Sequence, residues 1–329
     1  MKLDQPEPAP IDVVYIGGSA RCGSTLLDLL LGQLPGFVPV GSLGNLWERG
    51  LQENNLCGCG VPFRECPFWE KVGLVAFDGW DAVDANELMR LQSEIARYRH
   101  LPWHFVPRLR PAFFEKVVRY AGYMDSLYAA IKSVSGCTVV VDSSKDVLDA
   151  LILRQTPHVH ARVVHLVRDS RGVAYSWSKW LLRPEYTTST TYMPRYGPAH
   201  ASLDWVVANL PFHVVGAMSL ERLFVRYESL VESPRAEITR IADFLGANLW
   251  QGDLSFLDGA STKPVHNHTV SGNPMRFRPG PLRIRLDDEW RVEMSRRDKM
   301  IVTLITWPLG LAYGHLGRSV ARGGSSEKR

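Results

Sequence analysis

The chain is predicted to be α/β, with a central parallel sheet between helical layers, and three observations carry that prediction. Val13-Val14-Tyr15-Ile16, Thr138-Val139-Val140-Val141 and residues 162–167 are apolar runs of strand length, rich in β-branched residues and without polar alternation. That is the pattern of strands buried on both faces. Each run ends in glycine or polar residues, and a stretch of helical character follows. At 329 residues and 45% hydrophobic, the chain is long enough to bury a full core as one large domain.

The first of these units organises the rest. After Ile16, Gly17 and Gly18 break the strand, and Ser24-Thr25 opens the apolar segment 26–31. In a strand, glycine-rich loop and helix of this kind, the loop N–H groups and the helix N-terminus form an oxyanion site. Gly18-x4-Gly23-Ser24-Thr25 nearly meets the ATP- and GTP-binding pattern G-x-x-x-x-G-K-[ST]. It fails at the lysine, where Ser24 stands, and the nearest cation is Arg21, inside the loop. A nucleotide hydrolase needs that lysine on the β- and γ-phosphates. A loop that cradles one 5′-phosphate-type group does not. The expected architecture is therefore a P-loop-like three-layer α/β/α fold, a single domain over residues 1–318.

Composition narrows the class of ligand. The net charge of +4, from 38 basic and 34 acidic residues, suits a small anionic ligand and is too weak to argue for nucleic acid. Residues 1–12 hold no apolar run, so no secretory signal is expected. The apolar stretch 301–317 contains Trp307-Pro308 and is short for a membrane span, which predicts a core-packed helix and turn instead. Residues 319–329 are basic and Gly/Ser-rich, the composition of a disordered tail. A cytoplasmic protein is expected.

Phe37 to Val40 reads as a strand, followed by Gly41-Ser42 and a short segment with Trp47, Glu48 and Arg49. Cys57, Cys59 and Cys66 then fall within ten residues. Structural zinc wants four ligands, commonly in C-x2-4-C pairs. Cys57-x-Cys59 is tighter than that, and no histidine nearby in sequence completes the set, so a packed turn or a disulfide is expected and no metal. Apolar residues at Leu88, Leu91, Ile95 and Tyr98 mark one helical face, and a second helix begins at Pro111, so residues 50–135 read as a helical cap insertion.

Asp142-Ser143-Ser144-Lys145 closes the second strand, and Arg168-Asp169-Ser170 closes the third. Both lie where open α/β sheets bind ligands. Asp169 or Ser170 can cap the next helix. Arg168, with Ser176 two turns further on, fits a second anion site. Residues 182–198 lack periodicity and read as a long loop. A helix near 200–218, a strand at 222–225 and a helix opening at Ser233-Pro234 follow. Residues 267–278 form a basic, glycine-containing loop.

Taken in order, these segments resemble the sulfotransferase family, whose members use 3′-phosphoadenosine 5′-phosphosulfate (PAPS). Arg21-Cys22-Gly23-Ser24-Thr25-Leu26 is similar to that family's 5′-phosphosulfate loop, [KR]-x-G-[ST]-T. The stretch V-V-H-L-V-R-D-x-R-x-x-x-x-S resembles its 3′-phosphate segment, which implies that Arg168 and Ser176 hold that phosphate. Ser271, Gly272, Asn273 and Arg276 resemble the loop that closes over the 3′-phosphoadenosine. The wording of residues 26–69 is most similar to a bacterial group of the family, and more distantly to tyrosylprotein sulfotransferases. In the latter an arginine of the 5′ loop and a lysine after the second strand stabilise the leaving group, positions matched here by Arg21 and Lys145.

The resemblance implies sulfuryl transfer from PAPS to a hydroxyl acceptor (alcohol, phenol or sugar), with no metal. Relatives carry a glutamate general base directly after the glycine of the Gly41 motif, where this chain has Ser42. Glu48 is the nearest carboxylate and the expected base, with His266 and His268 as competitors. The alternatives are a kinase-like phosphotransferase with magnesium on Asp142, and a nucleotide-binding protein without turnover.

Overall fold

The computed structural model describes residues 10–186, 190–218, 220–247, 249–258, 261–262, 267–278 and 280–316. His266 and the tail 319–329 lie outside the described residues. Five strands form one sheet: β1 (Ile11–Gly17), β2 (Phe37–Gly41), β3 (Val139–Lys145), β4 (Val159–Val167) and β5 (Arg222–Arg226). Their order is β2-β3-β1-β4-β5, and every pairing is parallel. All five strands therefore end on the same edge.

Alternation along the strands sorts the core into two layers. Val13, Tyr15, Val40, Val140 and Val163 face one apolar cluster, whereas Val14, Ile16, Val141, Val164 and Leu166 face the other. The first cluster is filled by the long insertion between β2 and β3, comprising α2 (Pro67–Phe77), α3 (Ala85–Ile95) and α4 (Pro111–Ser135). Trp47 and Trp69 are wholly buried there, and the Trp47 indole N–H donates to the Tyr120 hydroxyl at 2.8 Å. The segment expected as a cap thus packs as a layer of the core. The opposite layer contains α1 (Ser24–Leu31), packed with Leu26, Leu27, Leu30 and Leu31 inward.

The remaining helices are α5 (Val147–Leu153), α6 (Ser170–Ser178), α7 (Pro198–Met218), α8 (Tyr227–Glu232), α9 (Pro234–Phe244), α10 (Trp290–Glu293) and α11 (Arg296–Ala312). Asp169 caps α6 by accepting from the Arg171 N–H at 2.9 Å. The stretch expected as a core-packed helix belongs to α11, and only one face of it is buried. Val302, Thr306 and Gly310 point inward, while Leu304, Trp307 and Leu311 are exposed. Among the described residues no helix is long and apolar enough to cross a membrane.

After β2 the chain turns through a π-helical segment, Leu46–Gln52, with Leu46, Trp47 and Leu51 buried and Glu48 exposed. Such widened turns are frequent at functional positions. Residues 267–273 then return to the end of β2. The Val270 N–H donates to the Val40 carbonyl at 2.9 Å, and the Ser42 N–H to the Ser271 carbonyl at 3.4 Å.

Candidate active site

The site is built at the carboxyl edge of β1, β3 and β4. The Gly18 N–H donates to the Lys145 carbonyl at 3.1 Å, so the glycine loop after β1 is tied to the end of β3. Gly23 has φ 99°, and a Cβ there would sit 2.4 Å from the Tyr227 ring. Only glycine permits both that backbone and that approach. The N-cap residue of α1 contributes no side-chain cap, an arrangement that suits an anion at the helix N-terminus. The buried Ser19 hydroxyl in the loop has no partner, the kind of orphaned polar atom that a bound oxyanion would satisfy.

Arg21 sits in the left-handed backbone region, at φ 68°. Its Nε donates to the Ser176 Oγ at 2.9 Å and its Nη1 to the Met193 sulfur at 3.1 Å. The glycine loop and α6, read separately in the sequence, are thereby joined. Arg168, at the end of β4, donates through Nη1 to the Arg21 carbonyl at 3.3 Å and through Nη2 to the Asp287 carbonyl at 2.9 Å. The same Nη2 pairs with the Asp287 carboxylate at 3.0 Å, and the guanidinium lies 4.8 Å from the centre of the Tyr227 ring. Burial, and then the like charge of Arg168, lower the Arg21 pKa to about 10. Two guanidinium groups crowded together with one carboxylate leave an excess of positive charge, which fits an anionic ligand with two phosphate-type groups.

Lys145 also has a left-handed backbone, φ 79°, and its Nζ donates to the Ser143 carbonyl at 2.5 Å. Burial lowers its pKa, against the opposing pull of Cys22, Asp142 and Asp28. Asp142 has both oxygens engaged: Tyr128 donates at 2.5 Å, the Ser144 hydroxyl at 2.5 Å and the Ser144 N–H at 2.8 Å. With 1% of its surface exposed, it offers no open position for magnesium.

The loop 267–278 meets the glycine loop directly. The Asn273 N–H donates to the Thr25 Oγ1 at 2.9 Å, with Gly272 beside the same hydroxyl. Arg276 is turned inward: Nη1 donates to the Thr269 carbonyl at 2.5 Å and Nη2 to the Leu56 carbonyl at 3.0 Å. Burial lowers its pKa to about 10. Ser42 is buried and accepts from the Asn45 amide at 2.9 Å. Glu48 is exposed, whereas its neighbour Arg49 lies within electrostatic reach of Lys145 and Arg276.

The cysteine turn has a neighbour that its local sequence does not show. A histidine does reach the cysteines: the His268 Nδ1 lies 3.3 Å from the Cys66 Sγ and 3.8 Å from the Cys57 Sγ. It comes from more than 200 residues away, so inspection of the local sequence could not find it. Of the two expectations for the cysteines, a packed turn or a disulfide, the structure shows the packed turn with free thiols. Asp287, Tyr227 and Met193 lie against Arg168 and Arg21 and carried no sequence signal. Asp28, four residues into α1, hints at itself only as an acid inside an apolar helix.

A glycine loop without the hydrolase lysine, its Arg21 bonded to the helical Ser176 and lying beside the strand-end Arg168, sits at the carboxyl edge of a parallel α/β sheet. The chain belongs to the sulfotransferase family, whose family model matches residues 13–252. It is accordingly a transferase of that type, and the kinase-like alternative falls. The chain is similar in fold to the sulfotransferase domain from the curacin biosynthetic pathway, at 17% identity over 92% of this chain and 99% of that one, with a TM-score of 0.50. It is similar also to the sulfotransferase domain from the Synechococcus PCC 7002 olefin synthase (21% identity, 93% and 97% covered, TM-score 0.48). A third is mouse sulfotransferase SULT7A1 complexed with PAP (10% identity, 93% and 89% covered, TM-score 0.43). No curated protein matches the sequence.

Asp28 makes a testable contribution to stability. It is fully buried, the Ser143 hydroxyl donates to its Oδ2 at 3.3 Å, and its Oδ1 has no partner. Burial, then repulsion from Asp142, push its pKa up to about 8. The folded state therefore holds a proton that the unfolded chain loses near pH 4. Stability present below about pH 4 is lost as pH rises through the folded value. Asp28→Asn, which cannot ionise, should gain melting temperature relative to wild type between pH 5 and pH 8.5. Parallel thermal melts across that range that stay a constant distance apart would refute this.

Proposed function

We propose that this chain moves a sulfuryl group from PAPS to the hydroxyl of a small-molecule acceptor. The observation that carries the reading is the meeting of a half-buried Arg21, bonded to Ser176, with the buried Arg168 at the mouth of an uncapped helix. In this reading Cys22, Gly23, Ser24, Thr25 and Leu26 hold the 5′ end of the donor through loop and helix amides. Arg168 and Ser176 take the 3′-phosphate, and Ser271, Gly272 and Asn273 close over the nucleoside, with Arg276 clamping that loop from within. The reading extends to a bacterial, cytoplasmic enzyme. Five free thiols suit a reducing compartment.

Sulfuryl transfer, like phosphoryl transfer, is expected to pass through a loose in-line transition state that needs positioning and charge stabilisation. Arg21 and Lys145 lie where negative charge grows on the departing bridging oxygen. Cations already half-buried and fixed by hydrogen bonds act there with little reorganisation. A base must take the acceptor's proton, and Ser42 cannot. Glu48 is the reading from sequence, and its neighbour Arg49 faces the Lys145 centre. A second reading, favoured by the unpartnered Oδ1 and the value near 8, gives the proton to Asp28.

Three outcomes follow. By calorimetry, Arg168→Ala should weaken 3′-phosphoadenosine 5′-phosphate by about 2–4 kcal/mol and leave adenosine 5′-phosphosulfate nearly unchanged; equal losses for both would remove the 3′-phosphate assignment. Lys145→Ala should lower kcat more than it raises KM for PAPS, and wild-type turnover in that variant would take Lys145 out of the chemistry. Glu48→Gln should cost about 10²–10⁴ in rate if Glu48 is the base. A fully active Glu48→Gln, together with a pH–rate limb near 8 that Asp28→Asn abolishes, would move the role to Asp28.

A further inference from the structure

Three thiols and one imidazole that the transfer chemistry leaves idle converge on a single point. One ligand atom from each of Cys57, Cys59, Cys66 and His268 lies within 4.8 Å of every other. The Cys66 Sγ is 3.3 Å from the His268 Nδ1, the Cys57 Sγ is 3.8 Å from the same nitrogen, and the Cys59 Sγ is 3.6 Å from the Cys66 Sγ. A tetrahedral zinc with Zn–S near 2.3 Å and Zn–N near 2.0–2.1 Å sets ligand–ligand edges of roughly 3.5–3.8 Å. We propose that the three Sγ atoms and the His268 Nδ1 bind one structural zinc ion, which staples the turn 57–66 to the loop 267–278.

The surroundings are those of a built site. The tight Cys57-x-Cys59 spacing closes because the residue between is glycine: a Cβ on Gly58 would lie 1.8 Å from the Asn267 Oδ1 and 2.7 Å from the Thr269 Oγ1. The Gly58 N–H donates to the Thr269 carbonyl at 2.9 Å, next to the proposed ligand. Each sulfur also receives backbone N–H groups. That of Cys59 faces the Cys57 Sγ, that of Val61 the Cys59 Sγ, and those of Phe68 and Trp69, at the start of α2, the Cys66 Sγ. Such donors stabilise thiolates around a metal.

His268 is oriented from two sides. Its ring stacks on Phe68 at 4.8 Å between centres, and the Trp69 indole N–H holds its carbonyl at 2.8 Å. Cys59 is half-exposed, and a surface groove lined by Cys59, Val61, Pro67, Phe68, Lys71 and His268 gives an ion a way in.

The test uses untagged, full-length protein from zinc-supplemented growth, purified under reducing conditions without chelator. Elemental analysis should find about one zinc per chain. Cobalt(II) exchanged into the site should give tetrahedral d–d bands and a sulfur-to-cobalt charge-transfer band whose intensity counts three thiolates. Cys59→Ser and His268→Ala should each lose most of the metal, and a strong chelator should lower the melting temperature of wild type but not of these variants. If the variants do not fold, the wild-type cobalt spectrum decides alone, since it reports the ligand set directly. The proposal is overturned by metal far below one per chain with no charge-transfer band. It is overturned equally by undiminished zinc in both variants, or by a Cys59–Cys66 disulfide in non-reducing peptide maps of the freshly purified protein. None of these readouts depends on sulfuryl transfer, so the site can fail without the function failing.

Discussion

The packing of two guanidinium groups beside one another, that of Arg168 buried and that of Arg21 half-buried, is the constraint on which this molecule depends. Arg21 and Arg168 repel, and burial deprives both of part of their hydration, so their positions must be enforced by the surrounding structure. The enforcement is visible. Asp287 holds Arg168 from one side, the Tyr227 ring lies against it, and the Arg21 carbonyl accepts from it. Ser176 and Met193 hold Arg21. Both the left-handed backbone at Arg21 and the glycine at position 23 are consequences: one aims the side chain back into the site, and the other lets Tyr227 press against the loop. A fold that retains such a pair stores an unfavourable arrangement that an anion relieves.

How much of this was legible in the sequence follows from the range of each interaction. The unit β1–loop–α1 is local, and its burial on both faces is written in unbroken β-branched runs. The arginine at the end of β4 and the serine two turns into α6 were legible for the same reason, since strand ends and helical spacing are short-range geometry. That Arg21 would bond Ser176, across 155 residues, was not. Asp287 and Tyr227 have no local pattern at all, because their role is to neutralise and pack against a charge brought to them by the sheet order. The apolar stretch near the C-terminus misled in the opposite sense. Hydrophobicity alone announced a buried helix, but one face of α11 is exposed.

Ser42 stands where the resemblance to the family implies a carboxylate base. A hydroxyl in place of a carboxylate cannot accept a proton at neutral pH, and here it is turned to Asn45 and buried. The site therefore keeps its cations while lacking a carboxylate at that position. Cations without a strong base lower the barrier to leaving-group departure but do nothing for the acceptor. An acceptor acidic enough to shed its proton late, such as a phenol, needs the least help.

The cysteine cluster and the cation cluster are linked by one loop, and the link has a direction. Residues 267–278 touch the turn at Gly58, the end of β2 at Val40 and the first turn of α1 at Thr25. Arg276 fixes the loop internally through the Thr269 carbonyl and ties it outward to the Leu56 carbonyl, and its Nε is left buried without a partner. A segment with so little regular structure holds its shape through anchors at its ends. The anchor at Thr25 is one neutral hydrogen bond, worth about 1 kcal/mol, and it sits where a nucleotide would be covered. A metal at His268 would supply a far stronger anchor at the other end. The loop's hold would then be firmest beside the cysteines and weakest over the first turn of α1.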